Sequence, residues 1–410
     1  MAVAIARQPI YDRRSRTHAY ELLYRGDPDA GDARVGDSEH ATASVLSILL
    51  AEMGIAPITG GRPAFINFSR QLLERQYLDL LPRKEVVIEV LEDVVPDEEL
   101  HKCLAYLRQQ GFRIALDDFT EQTLHRELLP YADIVKVDVL GMKPDDIVRH
   151  ASEVREHGVP KLLAEKVEDR EIANFCKRAG YDYFQGFFLS RPTTLRQRRL
   201  DAGQAALLRL ISALQDLETD AGDLERIIMD DPTLTYRLLR YMASPVFGVR
   251  DIDSIRGAIM YLGRRRLRDW ATLMALSGSN PESDEITRMM LVRARTAELL
   301  GKASQIREQP DKLFTAGILS GLDAVFNVPM DRLLQEMALA EDVREALLGG
   351  VGPIGEILGA VRAQEQGDWA RARTPYHGPG DVAGAYLDAL QWSDERMDQI
   401  LRVTAGNGSG

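Results

Sequence analysis

In the first half of this 410-residue chain, polar residues recur late in, or directly after, short apolar runs: Asn67, Glu89, the pair Asp117-Asp118, Lys136, Glu165 and Gln185, with Glu21 placed the same way near the start. From Asn67 onward they stand roughly twenty to thirty residues apart, about the length of one βα unit, so a barrel of parallel strands would bring them to one rim. Five carboxylates gathered there, Glu21, Glu89, Asp117, Asp118 and Glu165, drive one another to protonate unless positive charge balances them. Oxygen donors without a His or Cys cluster favour Mg2+ or Mn2+, and this many carboxylates suffices for two ions. A pair of such ions suits hydrolysis of a phosphodiester. Lys136 would orient or deprotonate the attacking water, or offset charge on the phosphate. The competing reading is that acids at strand ends cap the helices that follow, and for Asp117 and Asp118 alone it stays open. It does not account for an Asn, a Lys and a Gln in the same structural position.

The elements that must position this ring follow from periodicity. Apolar runs rich in Val and Ile, at Ala4–Ile10, Ala64–Phe68, Glu85–Val90, Arg113–Leu116, Ile134–Val137, Lys161–Ala164 and Tyr181–Phe184, alternate with amphipathic stretches such as Glu98–Gln110. Gly111, Gly158 and Gly180 supply helix stops shortly before the next run. With the strand-like His18–Leu23 after a polar turn at Asp12–Ser15, the set is enough for a (β/α)8, TIM-like barrel. An open doubly wound sheet is the alternative, but no glycine-rich phosphate loop follows the first strand. After Arg191-Pro192 only helical periodicity remains, from about Ala202 to Arg402. The expected fold is therefore α/β and then all-α. A barrel domain over residues 1–195 and a helical bundle over 200–405 are joined by the charged stretch Thr194–Arg199.

Apolar residues at 45% and charged residues at 28% describe an ordinary globular composition, and the net charge of -12 argues against a general nucleic-acid binder. The basic cluster Arg264-Arg265-Arg266-Leu267-Arg268 reads as a solvated helix start after a turn at Leu262-Gly263. No apolar run approaches the eighteen or so residues of a membrane span, and no secretory leader precedes Arg7 and Asp12, so a cytoplasmic protein is expected. Cys103 and Cys176 lie in helical patterns without metal-ligand spacing.

These residues carry a resemblance. Residues 3–192 resemble the EAL domain of cyclic-di-GMP phosphodiesterases through Gln8-Pro9-Ile10; Glu21-Leu22-Leu23 with Arg25; Asn67-Phe68-Ser69; Glu89-Val90-Leu91-Glu92; Asp117-Asp118-Phe119; Lys136-Val137-Asp138; Ala164-Glu165-Lys166-Val167-Glu168; and Gln185-Gly186-Phe187. The resemblance implies that Glu21, Asn67, Glu89 and Asp117 hold one metal and Asp117 with Asp118 a second. It assigns Lys136, Glu165 and Gln185 to the water, Glu92 and Glu168 to support, and Gln8, Glu21 and Arg25 to the dinucleotide. Ca2+ would be a non-productive substitute for Mg2+ or Mn2+. The family usually follows its paired aspartates with a Gly- and Ser-rich loop that couples metal binding to dimer contacts. Here the run is Phe119-Thr120-Glu121-Gln122-Thr123-Leu124, which implies binding of metal and cyclic di-GMP with slow turnover.

Residues from about 200 to 400 resemble the HDOD domain through Ile228-Met229-Asp230-Asp231-Pro232, Ile255–Gly263 and Gly317–Asp323. The related HD hydrolases need several histidines, whereas from residue 200 onward only His377 is present, in a loop context that reads as solvated. The tandem resembles bacterial EAL–HDOD signalling proteins. It implies a cyclic-di-GMP-responsive barrel, a protein partner met through the helical half, and a homodimer among the expected states. The alternative is a catalytically inactive scaffold acting through protein contacts alone.

Overall fold

The computed structural model describes residues 4–25, 54–73, 78, 81–119, 124–186, 202–216, 218–230, 232–242, 254–276, 281–303, 310–326, 328–335 and 339–405. Thr120–Thr123 of the loop after the paired aspartates, the joining stretch 194–199 and the Arg25 side chain lie outside the described residues. The chain divides into two compact units, Met1–Arg191 with Ala360–Gln391, and Pro192–Gly359 with Trp392–Gly410.

In the first unit, runs such as Val-Val-Ile-Glu-Val and Lys-Leu-Leu-Ala-Glu form strands because branched side chains fit a pleated surface covered on both faces. Eight strands result: β1 Ala4–Asp12, β2 Thr17–Arg25, β3 Ala64–Phe68, β4 Val86–Val90, β5 Arg113–Leu116, β6 Ile134–Asp138, β7 Lys161–Glu165 and β8 Tyr183–Phe184. They close into a barrel in sequence order. Neighbours from β2 to β8 run parallel, whereas β1 is antiparallel to both β2 and β8. One layer of side chains fills the interior: Ile10, Ala19, Phe65, Val87, Ala115, Ile134 and Leu163, with Tyr183 packed against them.

Two of the surrounding helices have side-chain caps of their own. Asp97 accepts the Leu100 N–H at 2.8 Å to start Glu98–Gln109, and Asp169 accepts the Ile172 N–H at 2.8 Å to start Arg170–Arg178. Buried Leu100, Leu104 and Leu107 give the first of these helices its inward stripe. Capping is thus the work of Asp97 and Asp169, while the next described element after Asp117 and Asp118 is a 3-10 segment at Leu124–Tyr131.

In the second unit every described element is helical. Gly317 lies so close to the helix Pro281–Ala303 that an added Cβ would stand 2.4 Å from Ala294 Cα, which explains the small residue in that motif. The turn expected at Leu262-Gly263 is present as a non-helical break at Gly263 inside Ile255–Leu276. The basic cluster is not a solvated helix start throughout. Arg264 donates to the carbonyls of Ala213, Leu214, Asp216 and Thr219, closing the C-terminal end of the helix Ala202–Ala213, and Arg268 is buried over the Phe314 ring.

One further expectation is corrected. His377 is buried, with its Nδ1 2.9 Å from Thr374 Oγ1, because the loop before the last helix folds onto itself. One helical stretch among the described residues, Glu341–Gln366, is long and apolar enough to cross a membrane by length and composition. It is two helices, Glu341–Gly349 and Gly352–Gln366, interrupted by left-handed Gly350 and Gly352, and half of its most apolar window is buried.

Candidate functional site

Two residues along each strand from the interior layer lie the polar residues singled out by spacing. Ala19 leads to Glu21, Phe65 to Asn67, Val87 to Glu89, Ala115 to Asp117, Ile134 to Lys136, Leu163 to Glu165 and Tyr183 to Gln185. In the antiparallel β1 the step runs backwards, from Ile10 to Gln8. Alternate residues of a strand face the same side, so these eight side chains form the next layer above the apolar one, at the rim where β2 to β8 end. Register sets Gln8 opposite Glu21 and Asn67 opposite Glu89, while Glu21, Glu89 and Lys136 stand opposite Phe65, Ala115 and Leu163, so the ring is staggered by two residues at those seams.

Two of the residues lie just beyond their strands and are held by further ladder bonds. Asp117 N–H donates to Val90 O at 3.0 Å and Gln185 N–H to Ala164 O at 2.9 Å. Gly186 is required next to Gln185. Its φ is 141°, and an added Cβ would lie 2.3 Å from Val167 O, so any side chain would push the Gln185 backbone off β7.

At the centre stands Lys136, 1% exposed. Its Nζ is 2.8 Å from Asp117 Oδ1, 2.8 Å from Glu165 Oε1 and 3.5 Å from Glu21 Oε2, and it donates a short bond to Glu89 Oε1. The ammonium is a built-in cation for the ring, a role beyond the water contact read from sequence. One positive charge does not balance four carboxylates. Burial pushes Glu89 well above the usual carboxylate range against the pull of Lys136, and pushes Glu165 up to about 8. Asp117 is half-buried, which works to raise it, but the Lys136 charge and hydrogen bond hold it below its ordinary value. Lys136 is raised well above its ordinary value, because the carboxylates around it, Glu165 and Glu21 foremost, outweigh the cost of burial.

The donor set fits a divalent cation. Asn67 Oδ1, Glu89 Oε2 and Gln185 Oε1 are buried acceptors with no hydrogen-bond partner, which is costly unless something positive meets them. Oxygens of Asp117, Asp118 and Glu165 lie within 4.8 Å of one another. Asp118 turns toward this group on a left-handed backbone, φ 43°, and its carboxyl is raised by burial and by the neighbouring Asp117 charge. Asn67 Nδ2 reaches Glu21 Oε1 at 3.4 Å, while Gln185 Nε2 donates to Glu21 Oε2 at 2.6 Å and to Gln8 Oε1 at 2.9 Å. The ring thus gathers Gln8, Glu21, Asn67, Glu89, Asp117, Asp118, Lys136, Glu165 and Gln185. Glu92 sits exposed in the turn after β4, and Glu168 is half-buried after β7.

Sequence reasoning passed over two residues at this rim. Lys166, also left-handed at φ 51°, places Nζ 2.5 Å from Asp138 Oδ2, and its charge bears on Asp118. Tyr24 donates its hydroxyl to Asn67 O at 2.6 Å and so fixes that strand end. For Lys166 the signal was its place directly after Glu165; for Tyr24 it was the distance of three residues from Glu21.

Comparison with known proteins finds two domains. The EAL domain matches residues 3–192 and the HDOD domain residues 203–344. The chain is 30% identical over 400 residues to the cyclic di-GMP phosphodiesterase CdgJ of Vibrio cholerae, covering 95% of this chain and 92% of that protein. It is 29% identical to the uncharacterized protein YuxH of Bacillus subtilis, over 97% of this chain and all of that one (100%). Among solved structures, the calcium/cyclic-di-GMP complex of Klebsiella pneumoniae BlrP1 aligns with 24% identity and a TM-score of 0.39, over 46% of this chain and 55% of that chain.

Proposed function

Because the chain belongs to the family of EAL–HDOD two-domain proteins, we propose that its barrel binds cyclic di-GMP together with Mg2+ or Mn2+ and opens it slowly to the linear dinucleotide. The observation that carries this reading is the incompletely balanced ring, in which three orphaned acceptor oxygens and a cluster of carboxylates surround one ammonium.

Glu21, Asn67, Glu89 and Asp117 are the residues that would hold one ion, and Asp117 with Asp118 the second. Bound there, the ions supply Lewis-acid activation of water and stabilise charge on the phosphoryl oxygens. Lys136 Nζ, already between Glu165 and Asp117, keeps the attacking water in line. Glu165 Oε1 would take the proton of that water and pass it to the departing ribose oxygen, and Gln185 would help orient the water. Gln8 and Arg25 hold the dinucleotide, with Glu92 and Glu168 supporting the ring. Ca2+ fills the same oxygens without turnover. Slow opening follows from the run after Asp118, Phe119-Thr120-Glu121-Gln122-Thr123-Leu124, which holds no glycine to give the backbone freedom there. The helical half engages a signalling protein, and the pair acts in the cytoplasm.

Calorimetric titration with cyclic di-GMP in Ca2+ tests binding, and chromatography of the products in Mn2+ tests opening. Failure to bind at high micromolar protein removes the proposal.

A second reading, a scaffold acting only through protein contacts, is favoured by one observation: Lys136 gives the ring a counter-charge of its own, so the barrel is not obliged to hold metal. Cellular output unchanged by both Lys136→Ala and Glu21→Ala would select it.

A further inference from the structure

Part of strand β1 lies beside a segment from far along the chain. β8 pairs with it at Tyr11 and Asp12, so on that side the stretch Ala4–Ile10 has no strand neighbour among the described residues. Exposed strand edges carry backbone groups that need partners, and folded proteins cover them. The cover comes from far along the chain. Gln364 is 0% exposed and donates Nε2 to Ile5 O at 3.0 Å. Two residues on, Gln366 O accepts a long bond, 3.4 Å, from Gln8 Nε2. Gly367 then turns away at φ +73°, packed so that an added Cβ would stand 2.7 Å from Leu23 Cδ1. These residues belong to Ala360–Gln391, the segment that clusters with the barrel.

Antiparallel β1 puts this edge at the rim of the site. Gln8 is opposite Glu21, and Ile5 is opposite Tyr24, further toward the outside. Gln8 Oε1 accepts from Gln185 Nε2, which also donates to Glu21 Oε2. A run of hydrogen bonds therefore leads from Gln366 O through Gln8 and Gln185 to Glu21. With its oxygen on Gln185 and one N–H on Gln366, the Gln8 amide offers its second N–H to a ligand acceptor.

We propose that Gln364–Gly367 is a positioning element for the nucleotide end of the site. It caps the Ile5 carbonyl of β1 and fixes the Gln8 amide, so that a cyclic dinucleotide at the mouth and the seating of this segment favour one another. The proposal rests on the nucleotide reading above. Linkage makes it reciprocal: whatever factor the seated segment adds to dinucleotide affinity, the dinucleotide adds to seating.

The test uses the full chain and two variants. Gln364→Met keeps side-chain volume but removes the donor, and Gly367→Ala sets a methyl against Leu23 on a left-handed backbone. Hydrogen exchange over residues 4–10 and titrations with Mn2+ and with cyclic di-GMP in Ca2+ are the readouts. Both variants should exchange faster over β1 and bind cyclic di-GMP at least about fivefold more weakly, with Mn2+ affinity changed by less than about twofold. In the unaltered chain, cyclic di-GMP should slow exchange over residues 360–367. Unchanged exchange over β1 overturns the proposal, as does a loosened β1 with dinucleotide affinity intact, since the cover is then merely structural. An unaltered chain that takes up Mn2+ but no cyclic di-GMP overturns both readings, and is told apart because it shows before any variant is measured.

Discussion

Replacing Lys136 by Met removes the one ammonium from a pocket in which it meets Glu21, Glu89, Asp117 and Glu165, while roughly keeping the volume. Removing one partner of a buried ion pair costs about 3–5 kcal/mol, because the charge left behind is neither solvated nor balanced. For a unit of this size 1 kcal/mol moves the melting temperature by about 2–4 °C, so the barrel transition should fall by roughly 6–20 °C in EDTA.

The loss should depend on pH, with a sign fixed by the raised acids. Glu165 titrates near 8 in the folded chain against an ordinary 4.5, so between these values the folded state holds more protons than the unfolded one. Stability from this group is fully present below the ordinary value and is lost as pH rises through the folded one. Without Lys136 the carboxyls repel one another unopposed as they ionise, so the gap between variant and unaltered chain should widen from pH 5 to 8. Divalent metal should close it. Mn2+ at a hundred times its dissociation constant adds about 2.7 kcal/mol, and the variant should gain more than the unaltered chain because no ammonium competes. Scanning calorimetry at both pH values, with EDTA and with Mn2+, reads all of this. A variant melting within about 2 °C of the unaltered chain in EDTA at pH 8 would refute the counter-charge argument.

Other outcomes follow from the same geometry. Asn67→Leu removes a buried orphan oxygen and should weaken Mn2+ binding at least about tenfold by calorimetry with the fold retained; equal affinity would take Asn67 out of the donor set. Mn2+ uptake near pH 7 should release protons, since Glu165 is protonated below about 8, and apparent affinity should rise toward that pH. Heats identical in buffers of different ionisation enthalpy would contradict this. Gly186→Ala must shift the Gln185 backbone away from Val167 and should lower melting by several degrees, about 1–3 kcal/mol, together with dinucleotide affinity; a silent substitution would show that the close approach is not needed. The Cys176 thiol, pushed up to about 12 by burial, should stay unmodified by iodoacetamide at pH 8 in the native chain, as mass spectrometry would report.

The amino-acid sequence by itself determined the ring. Strand periodicity is strictly two, so a polar residue two places beyond Phe65, Val87, Ala115, Ile134 or Leu163 can only point where its apolar predecessor points, one layer up. The interval of one βα unit then puts every such residue on the same rim, and this was legible without coordinates. Helix stops at Gly111, Gly158 and Gly180 were legible for the same local reason: each takes up a positive φ where a helix ends.

What tertiary structure alone decided depends on distances between parts far apart in the chain. That Lys136 reaches four carboxylates, rather than lining a wall, follows from the barrel's closure and radius, which no local pattern encodes. That Gln364 caps Ile5 across more than 350 positions, and that Ala360–Gln391 joins the barrel, could not be read from a helical pattern indistinguishable from its neighbours. Periodicity says which face of an element is buried; only the packed chain says against what.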